Sequence, residues 1–339
     1  MTEQLIGSRV PDLRQVLVDL VLRYRMKRGG GRPITPEGMK RNAALFERAN
    51  ARFAPPPFVA IEPVDVGSMS AEWVSIRDQA YRGGVILYFH GGGFVMGSPQ
   101  THRVVTWRLA RATGRRVLAV AYRKAPDHVF PAWVDDGAAA FQWLVDRGYA
   151  PKDILVAGDS AGGNMALAVV HRLRREGRPL PGGMILFSPW ADLACEGKSY
   201  RRNERRDAMF HAKSVRATGA FLTRGNDPKH PEASPVHADL TGFPPMLLFA
   251  GTRELFVDDA RAIARRAAAS GVRADLHVYR HMPHVFPLLA GVLPRAKPAY
   301  DTIKRFVDET QSVLVVPSER SSERENSRGG AEGAEMRGA

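Results

Sequence analysis

The apolar run Ile154-Leu155-Val156-Ala157 passes through Gly158-Asp159-Ser160-Ala161-Gly162 into an alanine-rich stretch of helical character that begins near Asn164. No other junction constrains the fold as tightly. A strand that turns sharply into a helix pushes the residue at the turn out above the end of a sheet. Glycines must flank it, because any larger side chain would collide with neighbouring backbone. Ser160 is therefore a candidate nucleophile on a strand-to-helix elbow, with Asp159 beside it in the same motif.

Two further junctions follow the same logic. Upstream, Val85-Ile86-Leu87-Tyr88-Phe89 reads as a buried strand and runs straight into His90-Gly91-Gly92-Gly93. Successive glycines cost conformational entropy and supply no side chain, but they let the backbone approach a reacting carbonyl and aim N–H groups at it. His90, at the head of this loop, is expected to brace it by hydrogen bonding rather than to react. Downstream, the strand-like Met246-Leu247-Leu248-Phe249-Ala250 leads to Gly251-Thr252-Arg253-Glu254, and the alternating run Asp275–Tyr279 leads to His281-Met282-Pro283-His284. A carboxylate after one strand and a histidine after the next give the chain order Ser, acid, His of α/β-hydrolases. Glu254 is the expected acid because it follows the strand directly. Asp258, the alternative, fits the start of the next helix, where a carboxylate suits the dipole. His281 is expected to be a neighbour of the site, and Asp127 and His128, between Pro126 and Pro131, to stabilise a rigid loop.

On these motifs, together with Tyr122-Arg123-Lys124-Ala125-Pro126-Asp127-His128, Ser188-Pro189-Trp190 and the histidine segment ending at Phe286, the chain resembles the hormone-sensitive-lipase family of α/β-hydrolases, the bacterial family IV esterases. The resemblance spans roughly residues 80 to 290. It departs from the family at Glu254-Leu255-Phe256-Val257-Asp258, where the family usually carries Asp-Pro-Leu-x-Asp. It implies a serine carboxylic-ester hydrolase for short- to medium-chain acyl esters, with lactones and N-acetyl groups as neighbouring substrates. Ser160, His284 and Glu254 would form the triad. The N–H groups of Gly92, Gly93 and Ala161 would form the oxyanion hole, supported by His90, Gly91 and Asp159. A non-catalytic ligand-binding protein on the same scaffold is the reading of another class, and an intact set of these residues argues against it.

The strand and helix rhythm predicts eight strands, near 58–65, 71–77, 84–89, 116–121, 153–157, 183–188, 245–250 and 274–279, with helices near 101–113, 133–147, 162–175, 258–270 and 297–312. Alternation of this kind gives a mostly parallel sheet covered on both faces. The first two strands, with no helix between them, predict an antiparallel edge pair. Residues 51–316 form the expected catalytic domain, and 1–50 an N-terminal helical cap segment. The polar stretch 193–243, with Arg201-Arg202-Asn203-Glu204-Arg205-Arg206, is the expected cap insertion. Residues 317–339 are almost free of apolar side chains and are expected to be disordered. In the N-terminal segment Leu13, Val16, Leu17, Leu20 and Val21 recur at helical spacing, an amphipathic stripe expected to pack on the protein, with docking on a membrane as the alternative.

No His-Glu-x-x-His pattern, Walker loop or G-x-G-x-x-G after a strand is present, so no metal and no nucleotide cofactor is expected. The one cysteine, Cys195, cannot form an intrachain disulfide and fits a reducing, cytoplasmic compartment. With 44% hydrophobic residues in 339 the chain can bury a large core, yet no apolar run approaches the roughly 18 residues of a membrane span, and neither a signal core nor stable membrane insertion is expected. The formal charge of +14 is spread over helix surfaces with no aromatic-interleaved basic module, which excludes nucleic acid as the expected partner. The expected partner is a small-molecule ester, and the strand near 274–279 is a candidate edge for a homodimer.

Overall fold

The computed structural model describes residues 2–28, 34–50 and 54–312; the expected disorder of 317–339 lies outside them. Nine strands form one sheet: β1 (Thr2–Ile6), β2 (Val59–Val66), β3 (Met69–Ile76), β4 (Val85–Phe89), β5 (Arg116–Val120), β6 (Ile154–Asp159), β7 (Gly183–Phe187), β8 (Met246–Gly251) and β9 (Ala274–Tyr279). Their order is β1-β9-β8-β7-β6-β4-β5-β3-β2. The β2–β3 and β3–β5 pairs are antiparallel and all others parallel. The helices are α1 (Leu13–Leu22), continued by a π-helical turn over Arg23–Lys27, then α2 (Pro36–Asn50), α3 (Arg103–Thr113), α4 (Ala132–Asp146), α5 (Ala161–Arg175), α6 (Lys198–Arg202), α7 (Ala212–Leu222), α8 (Val257–Ala269) and α9 (Pro298–Ser312).

The two-residue period of a strand divides the core. In β4, Val85, Leu87 and Phe89 join one cluster with Phe141, Leu173 and Ile263 of α4, α5 and α8. Ile86 and Tyr88 point the other way, to Leu109 of α3 and Ile303 of α9. Because β4 is buried on both faces, its sequence is a continuous apolar run. β4 also marks the place where the strand order reverses, with β5 on one side and β6 on the other. In open α/β sheets the crevice at the carboxyl ends of such strands is where ligands bind. His90 and Ser160 leave the sheet there.

The N-terminal segment corrects two expectations. Among the described residues there are nine strands rather than eight, because Thr2–Ile6 pairs in parallel with Ala274–Tyr279. The strand near 274–279 is therefore no free edge. The five residues of β1 are mostly exposed and polar, so the pairing comes from the waiting edge of β9 and not from a pattern of their own. Helix α1 is also turned the other way round from the expected packing. Gln15 and Asp19 face the protein: Gln15 Nε2 donates to the Arg280 carbonyl at 3.4 Å, and Asp19 pairs with Arg253 at 2.9 Å. The apolar residues Leu13, Leu17, Leu20 and Val21 are 52 to 74% exposed.

The 193–243 segment carries α6 and α7 and is tied down by buried polar groups. Asn164 Nδ2 donates to the carbonyls of Trp190 and Ala233, and Arg172 grips the buried Glu232 carboxylate through two nitrogens. Asp259 of α8 accepts from the N–H groups of Ala191 and Asp192 and from the Tyr200 hydroxyl at 2.9 Å. Burial, with the nearby Asp192, pushes its carboxyl well above the usual range. Folded protein thus holds this proton to higher pH than unfolded chain, so the stability it contributes is present at low pH and lost as pH rises through the raised pKa. Asp259→Asn removes that term. Urea unfolding across pH 5 to 9 should show a flatter stability profile for the variant than for the wild type, with the gap in its favour widening toward high pH; parallel profiles would refute this.

Candidate active site

Three loops at the carboxyl ends of β6, β8 and β9 bring the expected residues together. Ser160 sits at the turn from β6 into α5 with φ 54° and ψ −117°, a strained backbone for a non-glycine residue. The turn is held by Ser160 N–H donating to the Phe187 carbonyl and by Trp190 N–H donating to the Ser160 carbonyl. Its tightness depends on Gly162, where an added Cβ would lie 2.0 Å from the Phe89 carbonyl oxygen. His284 Nε2 stands 2.9 Å from Ser160 Oγ, and its Nδ1 stands 2.6 Å from Glu254 Oε2. All three residues are buried.

An ionised carboxylate only accepts hydrogen bonds, so Glu254 fixes the ring proton on Nδ1 and leaves Nε2 free to accept from the serine hydroxyl. The other Glu254 oxygen accepts from Gly251 N–H at 2.6 Å and from the Ser188 hydroxyl at 3.0 Å. Burial raises the Glu254 carboxyl above its ordinary range, opposed by His284 and these two donors. Asp258 is elsewhere: its carboxylate is engaged by Arg202 at 3.1 Å and Arg261 at 3.3 Å. His281 donates its N–H to Thr252 Oγ1, and Asp127 pairs with Lys40 on the surface. Neither reaches Ser160.

The loop after β4 curls beside the serine. Gly92 has φ 118°, and a Cβ there would stand 2.0 Å from the Met96 carbonyl oxygen. Gly93 has φ 65° and open space at its Cβ position. Among the described residues no group accepts from the N–H of Gly92 or Gly93, and Ala161 is the first residue of α5, where an N–H has no acceptor within the helix. Asp159 underpins the loop. Its Oδ1 accepts from Gly91 N–H at 2.8 Å and from the Tyr88 hydroxyl at 2.6 Å, while His102 lies 3.6 Å from Oδ2. These partners hold its carboxyl below the usual range despite burial. His90 stacks on Tyr122, whose hydroxyl donates to the His90 carbonyl, and burial lowers its pKa well below the usual value. A neutral, stacked ring suits a brace.

Residues 86–288 match a family described as the alpha/beta hydrolase fold. The chain belongs to it. A solved esterase of the bacterial hormone-sensitive-lipase family superposes with a TM-score of 0.82 at 38% identity, covering 89% of this chain and 99% of that one, which places the chain in that branch. Curated relatives include an acetyl-hydrolase of Streptomyces hygroscopicus, 39% identical over 77% of this chain and 87% of its own length. An esterase of Acinetobacter venetianus is 35% identical over 74% and 82%. The protein is accordingly a hydrolase of the esterase and lipase kind.

Several residues around the site carry roles that sequence reasoning did not assign to them. Ser188 links both arms, donating to Glu254 and accepting from Val285 N–H at 3.0 Å; its signal was its place directly after a buried strand. Asn203 donates to the Glu254 carbonyl, and the buried Asp207 accepts from Leu255 N–H. Phe256 and Phe210 flank the His284 ring, at centroid distances of 4.8 and 5.2 Å. Asn203, Asp207 and Phe210 all come from the 193–243 segment, whose polar sequence carries no period that would reveal them.

Proposed function

We propose that the protein is a serine carboxylic-ester hydrolase for short- to medium-chain acyl esters, with Ser160, His284 and Glu254 as triad and the N–H groups of Gly92, Gly93 and Ala161 as oxyanion hole. The observation that carries this reading is the His284 ring bridging Ser160 Oγ and a buried, triply bonded Glu254 carboxylate. In the first half-reaction Ser160 Oγ bonds to the ester carbonyl carbon as its proton passes to His284 Nε2. The carbonyl oxygen takes the negative charge opposite the glycine N–H groups, which are already in place and need no reorganisation. Collapse breaks the bond to the alcohol, which leaves with the proton from Nε2. Water then repeats the sequence on the acyl-serine, releasing the acid and returning the proton to Ser160.

In the same proposal residues 1–50 and 193–243 act as a two-part cap on the catalytic domain of 51–316. Its support is the position of Phe210 against His284, and of Lys27, whose ammonium donates to the carbonyls of Glu204 and Asp207 and so joins the two parts. Cys195 is buried and its thiol is pushed up to about 12 by burial and nearby carboxylates. A lone unreactive thiol is compatible with the cytoplasm.

Initial rates on nitrophenyl esters from acetyl to palmitoyl test the reading, with a lactone and an N-acetyl amide alongside. Acetyl to hexanoyl esters should be the best substrates. The resemblance to a protein named acetyl-hydrolase supports the acetyl ester as a substrate and makes the N-acetyl amide the informative arm. Absence of turnover on every ester would overturn the proposal, while preference for the amide or lactone would keep the triad and change the substrate.

A further inference from the structure

The outward face of α1 has no partner among the described residues. Leu13, Leu17, Leu20 and Val21 are each 52 to 74% exposed, and at 100° per residue they fall on one stripe opposite Gln15 and Asp19, with the exposed Val10 ahead of the helix and the exposed Tyr24 in the π-helical turn that continues it. A helix that fastens itself by its polar residues and shows its apolar ones to solvent reverses the usual arrangement. Two cations border the stripe, Arg14 and Arg25, both exposed. Residues 9–28 hold six Arg and Lys against Asp12 and Asp19, and both acids are already consumed in ion pairs with Arg295 and Arg253. The basic run Arg201–Arg206, which ends beyond α6, meets this segment where Arg23 donates to the Arg206 carbonyl.

We propose that α1 is a peripheral docking element for an anionic lipid surface, lying in the interface plane with its apolar stripe among the acyl chains and its arginines on the phosphates. Apolar residues on one face with arginines at the border are what such a surface recognises. This is adsorption and not spanning: among the described residues no helix is long and apolar enough to cross a membrane. A second copy is disfavoured by charge, because two such faces would oppose arginine to arginine.

The surface would meet lipid next to the cleft, because Arg253, which holds α1, directly precedes Glu254.

The test is co-sedimentation of the full chain with phosphatidylglycerol/phosphatidylcholine vesicles and with phosphatidylcholine alone, with hydrolysis of a soluble nitrophenyl ester measured alongside as a check on folding. The wild type should bind the anionic vesicles and release them in high salt. Leu17→Ser with Leu20→Ser, which leaves charge unchanged, should weaken binding about tenfold or more. Arg14→Glu with Arg25→Glu should weaken it by a similar factor. Soluble-ester rates should stay within about twofold for both, since neither pair touches the triad. Failure of the wild type to bind would overturn the proposal. So would undiminished binding of the serine variant, which would assign adsorption to net charge alone, or a dimer in sedimentation that the serine substitutions dissolve without any vesicle binding.

Discussion

Ser160→Ala should lower kcat for any ester substrate by about 10⁶ while leaving the fold and the thermal midpoint close to those of the wild type. The nucleophile is lost, but alanine keeps the Cβ that the strained elbow already accommodates, and the turn is held by backbone bonds to Phe187 and Trp190 that the hydroxyl does not share. The one partner left unmatched is His284 Nε2, and Nδ1 still has Glu254. In the proposed mechanism, residual hydrolysis above the uncatalysed rate would come from the N–H groups of Gly92, Gly93 and Ala161, which would polarise a bound carbonyl whether or not serine is present. The same substitution should abolish covalent labelling by a sulfonyl fluoride. Activity within tenfold of wild type, with unchanged circular dichroism, would remove Ser160 from the reaction.

The parts of the fold that sequence made legible are those whose signal is local. Val85–Phe89 and Ile154–Asp159 lie between helices that bury both faces, so each is a short apolar run that gives way to a glycine-bearing turn. The juxtaposition of Ser160, Glu254 and His284 could be anticipated because each lies in the segment that follows a strand, and strands in a parallel sheet deliver their following loops to one edge. β1 gave no such signal, since its place depends on an edge presented by residues some 270 positions later. Helix α1 shows the limit most sharply. Spacing located its apolar stripe correctly but could not say which side faces the protein, because that was decided by Arg253 and Arg280, partners far along the chain. Ser188, Asn203 and Asp207 were hidden for the same reason: each is a single polar residue whose meaning lies in a carboxylate loop it meets only after folding.

That loop supports the second large effect, on the residue that departs from the family's usual aspartate. Glu254→Gln should lower kcat by about 10⁴ with little change in KM, by the tautomer argument that applies to triads in general. The substituted amide would have to place its carbonyl oxygen toward Gly251 N–H and the Ser188 hydroxyl, since both are donors. Its nitrogen would then donate to His284 Nδ1, driving the ring proton onto Nε2, where it faces Ser160 and can no longer accept the serine proton. The charge that stabilises the imidazolium would be gone as well. Asp258→Asn should leave kcat within about twofold, because its carboxylate meets only Arg202 and Arg261 and contributes about 0.3–1 kcal/mol at a helix start. The wild-type pH profile supplies an independent check. Burial raises the Glu254 carboxyl above its ordinary value, so the active, ionised form is lost as pH falls through that raised pKa, and a limb of declining kcat on the acid side should be altered by Glu254→Gln but preserved in Asp258→Asn. If Asp258→Asn proves the crippled enzyme and Glu254→Gln does not, the acid has been placed one helical turn too early, and the buried contacts of Glu254 would have to be read as structural.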